Sequence, residues 1–426
     1  MAHPAAAFSV DHDSPWLTSQ QAAAALGVQR ASLYSYVSRG LLQAHARPGQ
    51  RGRVYARADV QRLARQRQSI RNPARLAQST LDWGTPVLSS AITQVQNGQL
   101  YYRGQSATAL ARHVSLEAVT ALLLAQAPVA TGMRRKQSNT RQVSPVRQPR
   151  SPAQALAAWH QLPSDEAAEF ALSDALALLQ AMARVLVGLP RATAASHKLS
   201  PLHEQLAGWW QLDANASSLL RQALVLCADH ELNASSFAAR VVASTGASLH
   251  ASIGAGLAAL SGPLHGGMTA VIASHWDEWH QPQRKRNALP AGLAALLRQT
   301  SAGPSPAYCA GFGHPLYPAG DPRSLHLLPL LPADPVRERL LQAVHVQTGQ
   351  HPSLDYALVA IERSLQLPPG AAFVLFALGR TAGWMAHALE QRASGQLIRP
   401  RAHYQGLQPD SDAPTIAPPS GRIIRF

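Results

Sequence analysis

Cysteine is almost missing: Cys227 and Cys309 are the only two in 426 residues. Two distant thiols exclude a disulfide-built scaffold, and neither has the paired spacing of a thiolate zinc site. Charge is scarce too, with Asp, Glu, Lys and Arg making up 14% of the chain against 46% hydrophobic residues. That balance excludes wholesale disorder and leaves material for a large packed core. Acid is the scarcer sign: 23 Asp and Glu face 38 Lys and Arg, a net charge of +15. The excess suits polyanionic partners such as nucleic acid, phosphate-bearing cofactors or polycarboxylate substrates. Long apolar runs are also lacking. The stretch from Leu176 to Leu189 is broken by Gln180 and Arg184, too short and too polar to cross a bilayer. The start, Met1-Ala2-His3-Pro4-Ala5, has no basic segment followed by an apolar core, so secretion is not indicated. The expectation is a cytoplasmic protein of two to three domains with no membrane contact.

What is present falls into regions. Residues 14–75 are compact and increasingly rich in arginine. Residues 130–153 run from Met133-Arg134-Arg135-Lys136 through a Ser/Arg/Pro/Gln stretch, which reads as a basic, disordered, solvated loop. The remainder is dominated by Ala and Leu at helical spacing, as in Phe170, Leu172, Leu176, Leu179, Met182, Val185 and Leu186. Similar patterns recur at 219–227, 237–260, 289–298, 335–345, 355–366 and 371–394. Only Leu100 to Arg103 and the segment near Val54 read as strands.

In the N-terminal region Thr18 is placed to cap a helix from Ser19 to Leu26, which Gly27 stops. A second helix, Ala31 to Arg39, ends at Gly40. Ala23, Leu26, Val28, Leu33 and Val37 would glue the two together as a helix-turn-helix. Leu41-Leu42-Gln43 and Arg53-Val54-Tyr55 flank a Pro/Gly/Arg turn that reads as a wing, and a helix near Asp59 turns Val60 and Leu63 inward. This order resembles the winged helix-turn-helix of the mercury-resistance-regulator and excisionase group. The resemblance implies contact with double-stranded DNA through Gln29, Arg30, Ser32, Tyr34, Ser35, Arg39, Arg51 and Arg53. From Arg47 to Arg75 the one acid is Asp59, a density that favours phosphate contacts. The alternative is a small interaction module with a solvated basic face.

In the main body, polar residues interrupt apolar surroundings in four places. These are Ala228-Asp229-His230-Glu231-Leu232-Asn233-Ala234-Ser235; Gly262-Pro263-Leu264-His265-Gly266-Gly267; Gly311-Phe312-Gly313-His314 with Asp321-Pro322-Arg323; and Asp355 at a helix start. Arg380 and Arg399-Pro400-Arg401 follow. Histidines, one carboxylate and several arginines together suit acid–base chemistry on a multiply charged substrate. Each also has a structural reading: His230 satisfied by Asp229, Asp355 capping its helix, Arg399 and Arg401 as tail surface. No group has the make-up of a metal site.

The order and spacing of these motifs, with Leu100-Tyr101-Tyr102-Arg103-Gly104, resemble the citrate synthase family over residues 80–406, with a tail at 407–426. The resemblance implies a mainly α fold with large and small helical domains. It implies condensation of acetyl-CoA, or propionyl-CoA, with oxaloacetate to citrate or 2-methylcitrate, with no tightly bound cofactor. Asp355 would take the methyl proton, His265 would bond the enol oxygen, and His314 would polarise and protonate the keto carbonyl. His230, Arg323 and Arg380 would hold carboxylates, and Arg399 would reach across a homodimer. The alternative function is a metabolite-sensing transcription regulator with a weak or inactive synthase-like domain. A helical scaffold is a third reading, which no residue favours.

Overall fold

A computed structural model describes residues 16–38, 42, 44–46, 52–57, 59–60, 63–64, 88–125, 148–163, 170–189, 200–281, 288–301, 310–402, 404 and 406. Two compact units emerge, 1–85 with 399–426, and 86–398.

In the first unit, strand β1 (Trp16–Thr18) leads into helix α1 (Ser19–Leu26). Thr18 and Gln21 form a reciprocal capping box at its start, and Gly27 closes it in the left-handed region at φ 59°. Helix α2 (Arg30–Ser38) follows, then strands β2 (His45–Ala46) and β3 (Arg53–Ala56). The sheet order is β1-β3-β2, antiparallel throughout, with Leu17 opposite Tyr55. Leu17, Ala22, Ala23, Leu26, Leu33, Leu42, Tyr55, Val60 and Leu63 form its core. The expected helix pair and the strand near Val54 are therefore present. The other arm of the wing is β2, which lies beyond the expected Leu41–Gln43, and β1 is a strand that the sequence reading does not include. Its three residues are too few to show a period.

The second unit opens with a meander, β4 (Thr93–Gln96), β5 (Gln99–Tyr102) and β6 (Gln105–Ser106). Asn97 and Gly98 both have positive φ, 51° and 71°, as a two-residue hairpin turn matched to strand twist requires. Helices then succeed one another: α3 (Ala107–Ala111), α4 (Leu116–Leu124), α5 (Pro152–His160), α6 (Leu172–Val187), α7 (Leu202–Trp209), α8 (Ala214–Cys227), α9 (Ala234–Ser244) and α10 (Leu249–Leu260). After these come α11 (Met268–Trp279), α12 (Ala291–Ser301), α13 (Pro322–Leu327), α14 (Pro335–Thr348), α15 (Leu354–Ser364) and α16 (Ala371–Ser394). The unit is mainly α, as expected. The single apolar pattern at 237–260 is two helices, because Ser248 caps a new one after Gly246. Helix α5 begins at Pro152 with a Ser151–Gln154 capping box, so regular structure starts inside the expected loop 130–153. Residues 130–147 of that loop lie outside the described residues, as does the tail 407–426.

Helix α16 is the axis of the unit and packs against α4, α6, α8, α9, α10, α11 and α15. Among the described residues it is the one helix long and apolar enough to cross a membrane, and its apolar window is wholly buried within the unit. It is a core helix. Gly379 and Gly383, one turn apart, let α8 and the turn after it lie directly on α16: a Cβ at Gly379 would meet the Cβ of Cys227 and the Leu224 carbonyl. Asp229 and Ala228 crowd Gly383 in the same way, and Trp384 covers Gly256 of α10. The glycine stripe thus brings the end of α8 beside Arg380.

Candidate active site

Four chain segments meet around this contact. The first is the turn at 228–233. Tyr102, fully buried, donates to the Val225 carbonyl at 2.9 Å. Asn233 accepts from the amides of Ser235 and Ser236 at 3.1 Å each, capping α9. His230 is thereby held in the interior at 5% exposure, its Nε2 2.9 Å from the Tyr317 hydroxyl.

The second is the tight turn between α10 and α11. The Gly267 amide donates back to the carbonyls of Leu260 and Gly262 at 3.0 and 3.1 Å. A side chain at Gly267 would strike the Ser261 and Gly262 backbone and one at Gly266 the Leu260 side chain, so the glycines after His265 are needed for the close turn. His265 is half-buried, its Nε2 2.9 Å from Ser235 Oγ and its ring edge-on to Phe376 at 5.8 Å.

The third and fourth segments are laced together. Gly313 donates to the His351 carbonyl and Ser353 to that of Gly311, each at 2.8 Å, and Phe312 bridges Pro352. His314 and Asp355 therefore lie on adjoining strands of chain. His314 packs edge-on against His230 at 5.0 Å between ring centres. Asp321 caps α13 and takes Arg323 in a bidentate grip, Nε to Oδ1 at 2.9 Å and Nη2 to Oδ2 at 2.8 Å. Its Oδ2 also accepts from the Leu354 amide at 3.1 Å. One carboxylate thus joins the His314 loop to the helix bearing Asp355.

Burial sets the protonation states. His265 and His314 are each pushed down to about 3, by desolvation first and then by the guanidinium charges: Arg380 and Arg323 for His265, Arg323 for His314. His230 is lowered for the same reasons, with its neighbouring imidazoles adding to the effect. All three rings are neutral at pH 7. Asp355 is pushed up to about 7 by burial, against the pull of Arg323. Its Oδ1 has no hydrogen-bond partner, and neither does Nη2 of Arg380, a side chain 1% exposed whose Nε donates to the Cys227 carbonyl at 2.8 Å. An unsatisfied buried carboxylate oxygen and guanidinium nitrogen are groups that await a partner. Among the described residues no cluster of His, Cys, Asp or Glu is built to hold a metal.

His230, His265, His314, Arg323, Asp355 and Arg380 thus occupy one electrostatically linked neighbourhood. Arg399 is exposed and belongs to the other unit. Four residues have no role assigned from the sequence, Ser235, Tyr317, Asp321 and His387, and Asp229, read there as the partner of His230, instead meets His387 while His230 meets Tyr317. Each sits within or a few residues from a motif, but nothing in a linear pattern says which histidine a hydroxyl will meet. In the first unit Gln29, Arg30, Tyr34 and Arg53 are exposed, Tyr34 at 72%, while Ser32 and Ser35 are half-buried. Arg39 and Arg51 lie outside the described residues.

Such a fold and site define a mainly helical protein with a centre of buried histidines and arginines, joined to a small helix-turn-helix unit. Comparison with known proteins gives the family. Residues 80–401 match the model for the citrate synthase C-terminal domain, and residues 16–68 match a helix-turn-helix domain. The chain belongs to the citrate synthase family and carries an N-terminal helix-turn-helix domain. It is 35% identical over 195 residues to citrate synthase 2 of Bacillus subtilis, covering 43% of this chain and 50% of that protein. It is 30% identical over 208 residues to 2-methylcitrate synthase 1 of Corynebacterium glutamicum, covering 46% and 52%. The chain thus spans about half the length of the curated relatives it matches. Citrate synthase of Thermotoga maritima superposes with TM-score 0.57 at 23% identity, over 79% of this chain and 98% of the other. The citrate synthase of Thermoplasma acidophilum, in its ternary complex with carboxymethyl coenzyme A and oxaloacetate, gives 0.57 at 21%, over 78% and 97%. Both likenesses concern the fold.

Proposed function

We propose that the second unit condenses a short acyl-CoA, acetyl or propionyl, with oxaloacetate to give citrate or 2-methylcitrate, and that the protein works in the cytoplasm. One observation carries this reading: three neutral imidazoles, a carboxyl group poised near pH 7 and two buried guanidiniums share a single neighbourhood. Asp355 takes a proton from the carbon next to the thioester carbonyl. Its displaced pKa lets it act as a base at neutral pH without being so weak that the transfer fails. His265 stabilises the enol oxygen by donating a hydrogen bond. Its Nε2 faces Ser235, so Nδ1 is the nitrogen left for substrate. For Nδ1 to carry the proton, the Ser235 hydroxyl must turn from Asn233 Oδ1, 2.7 Å away, and donate to Nε2. The enol carbon then attacks the keto carbonyl of oxaloacetate, and the proton of His314 passes to the new alkoxide. His230, Arg323 and Arg380 grip the two carboxylates. Arginine suits this because its planar fork stays charged and binds carboxylate in bidentate fashion. Water then hydrolyses the thioester and releases CoA. Arg399 joins the site from the second subunit of a homodimer.

The test is direct. Full-length protein with oxaloacetate and acetyl-CoA or propionyl-CoA should release free thiol, and His265→Ala and Asp355→Ala should abolish the release. No thiol with either acyl-CoA at high protein concentration sinks the reading.

The helix-turn-helix unit is proposed to bind double-stranded DNA through α2, with Gln29, Arg30, Ser32, Tyr34, Ser35 and Arg39 facing the major groove and Arg51 and Arg53 reaching phosphates from the wing. A dimer would read an inverted repeat. Gel shift on the upstream DNA, with and without oxaloacetate or citrate, checks this. Failure to retard any fragment at low salt rejects it.

A further inference from the structure

Next to the His230 turn lies a second network, buried at Asp229, His387 and Arg240, to which the condensation chemistry gives no task. His387 of α16 is 0% exposed, its Nε2 3.2 Å from Asp229 Oδ2. Its Nδ1 lies 3.4 Å from Nη1 of Arg240. Arg240 is 3% exposed and is anchored on three further sides: Nη1 donates to Glu390 at 2.6 Å, Nε to Gln391 at 2.9 Å, and Nη2 to the Ser89 carbonyl at 3.3 Å. A guanidinium can only donate, so the nitrogen facing it must be the bare one. His387 is thereby fixed as the Nε2–H tautomer, and Nε2–H donates to Asp229. The second oxygen of Asp229 accepts from Ser236 Oγ at 3.4 Å. The Gly383 amide donates to the Ala228 carbonyl at 2.9 Å, fastening the same turn to α16. His387 and Arg380 are seven residues apart on α16, two turns along one face, with the Asp229 turn packed against Gly383 between them. Asp229 is the residue before His230 and the leading opposite charge acting on Arg380.

We infer that His387 is a positioning residue for the dianion site: locked by Arg240 in one tautomer, it holds the Asp229 carboxylate that sets His230 and Arg380. Arg240 is neutralised at Glu390, so Asp229 keeps its full charge for Arg380. Loss of the His387 donor frees Asp229 to swing onto Arg380 and compete with the incoming carboxylate.

The inference rests on the oxaloacetate reading given above, and two arms separate the two. In ligand-free, full-length protein labelled with 15N-histidine, long-range nitrogen–proton correlation at pH 7 should show His387 with a bare Nδ1 and a protonated Nε2, assigned by its loss in His387→Gln. A protonated Nδ1, alone or with Nε2, overturns the network whether or not any ligand binds. In the second arm, calorimetry gives the oxaloacetate dissociation constant. His387→Gln keeps a donor toward Asp229 and an acceptor toward Arg240, so it should stay within about threefold of wild type, while His387→Leu should weaken binding by about tenfold or more. Equal weakening in both variants, or none in His387→Leu, overturns the positioning role. Should His387→Leu fail to fold, threefold agreement of His387→Gln with wild type plus the tautomer still supports the inference, and loss in His387→Gln overturns it. Wild type that binds no oxaloacetate overturns the functional reading and with it the positioning role, leaving only the tautomer.

Discussion

Replacing Asp321 by Asn should destabilise the second unit far more than a near-isosteric change usually does. Asp321 is 2% exposed, and its partner Arg323 is 4% exposed. The carboxylate accepts the side chain of Arg323 twice, its amide at 3.0 Å, and the Leu354 amide at 3.1 Å. Asn keeps one acceptor oxygen but points an NH2 at groups that also donate. At least one charge-assisted bond is lost, about 1.5–3 kcal/mol, and the remaining guanidinium is left buried without its counter-charge. Breaking a buried ion pair from one side costs about 3–5 kcal/mol, so the total should fall in that range. Removing both members should cost less than the sum of the single losses, because Asp321→Leu with Arg323→Met leaves no orphaned charge. Urea unfolding followed by tryptophan fluorescence suits the measurement, since Trp159, Trp279 and Trp384 are fully buried in this unit. A loss under about 1 kcal/mol for Asp321→Asn, or strict additivity in the cycle, would refute the idea that one carboxylate ties the His314 loop to the Asp355 helix.

Three further outcomes follow from the same geometry. The free-enzyme pH profile of kcat/KM should rise through about 7 and level off above it: as the proposed base Asp355 would act only when ionised and is pushed up to about 7 by burial, while His265 and His314, pushed down to about 3, would add no limb between pH 5 and 8. A flat profile from pH 5.5 to 8 would remove Asp355 from the role of base. Ser235→Ala should lower kcat by roughly 10- to 100-fold while oxaloacetate affinity changes little, since it frees the tautomer of His265 without touching the carboxylate clamps; steady-state kinetics beside a binding titration separates the two. Gly383→Ala should cost about 1–3 kcal/mol by forcing Asp229 and Ala228 off the helix, and an unchanged unfolding midpoint would show that the contact has slack.

What a linear sequence reveals here depends on the range of the interaction. Helix α16 was legible to the residue, because its apolar positions recur without interruption and Gly370 and Gly395 mark its ends. The split of 237–260 was not, since the hydrophobic period continues across Gly246 and only the Ser248 side chain, accepting from the Ala251 amide, announces the new start. Of the hairpin at Asn97-Gly98 only the second strand, near Leu100 to Arg103, was read, because Thr93–Gln96 offers too little apolar alternation to be seen as a strand. At the site, the residue types of each motif advertise chemistry, while the links between motifs are invisible: 87 residues separate His230 from Tyr317, and 158 separate Asp229 from His387. The longer of the two is possible because glycines at 379 and 383 allow the backbone of one helix to touch the turn beyond another, which sets Asp229 against α16. In sequence such glycines look like two weak spots in a good helix. Their meaning lies in what they let approach, and so the electrostatics of the site depends on two residues that carry no functional group at all.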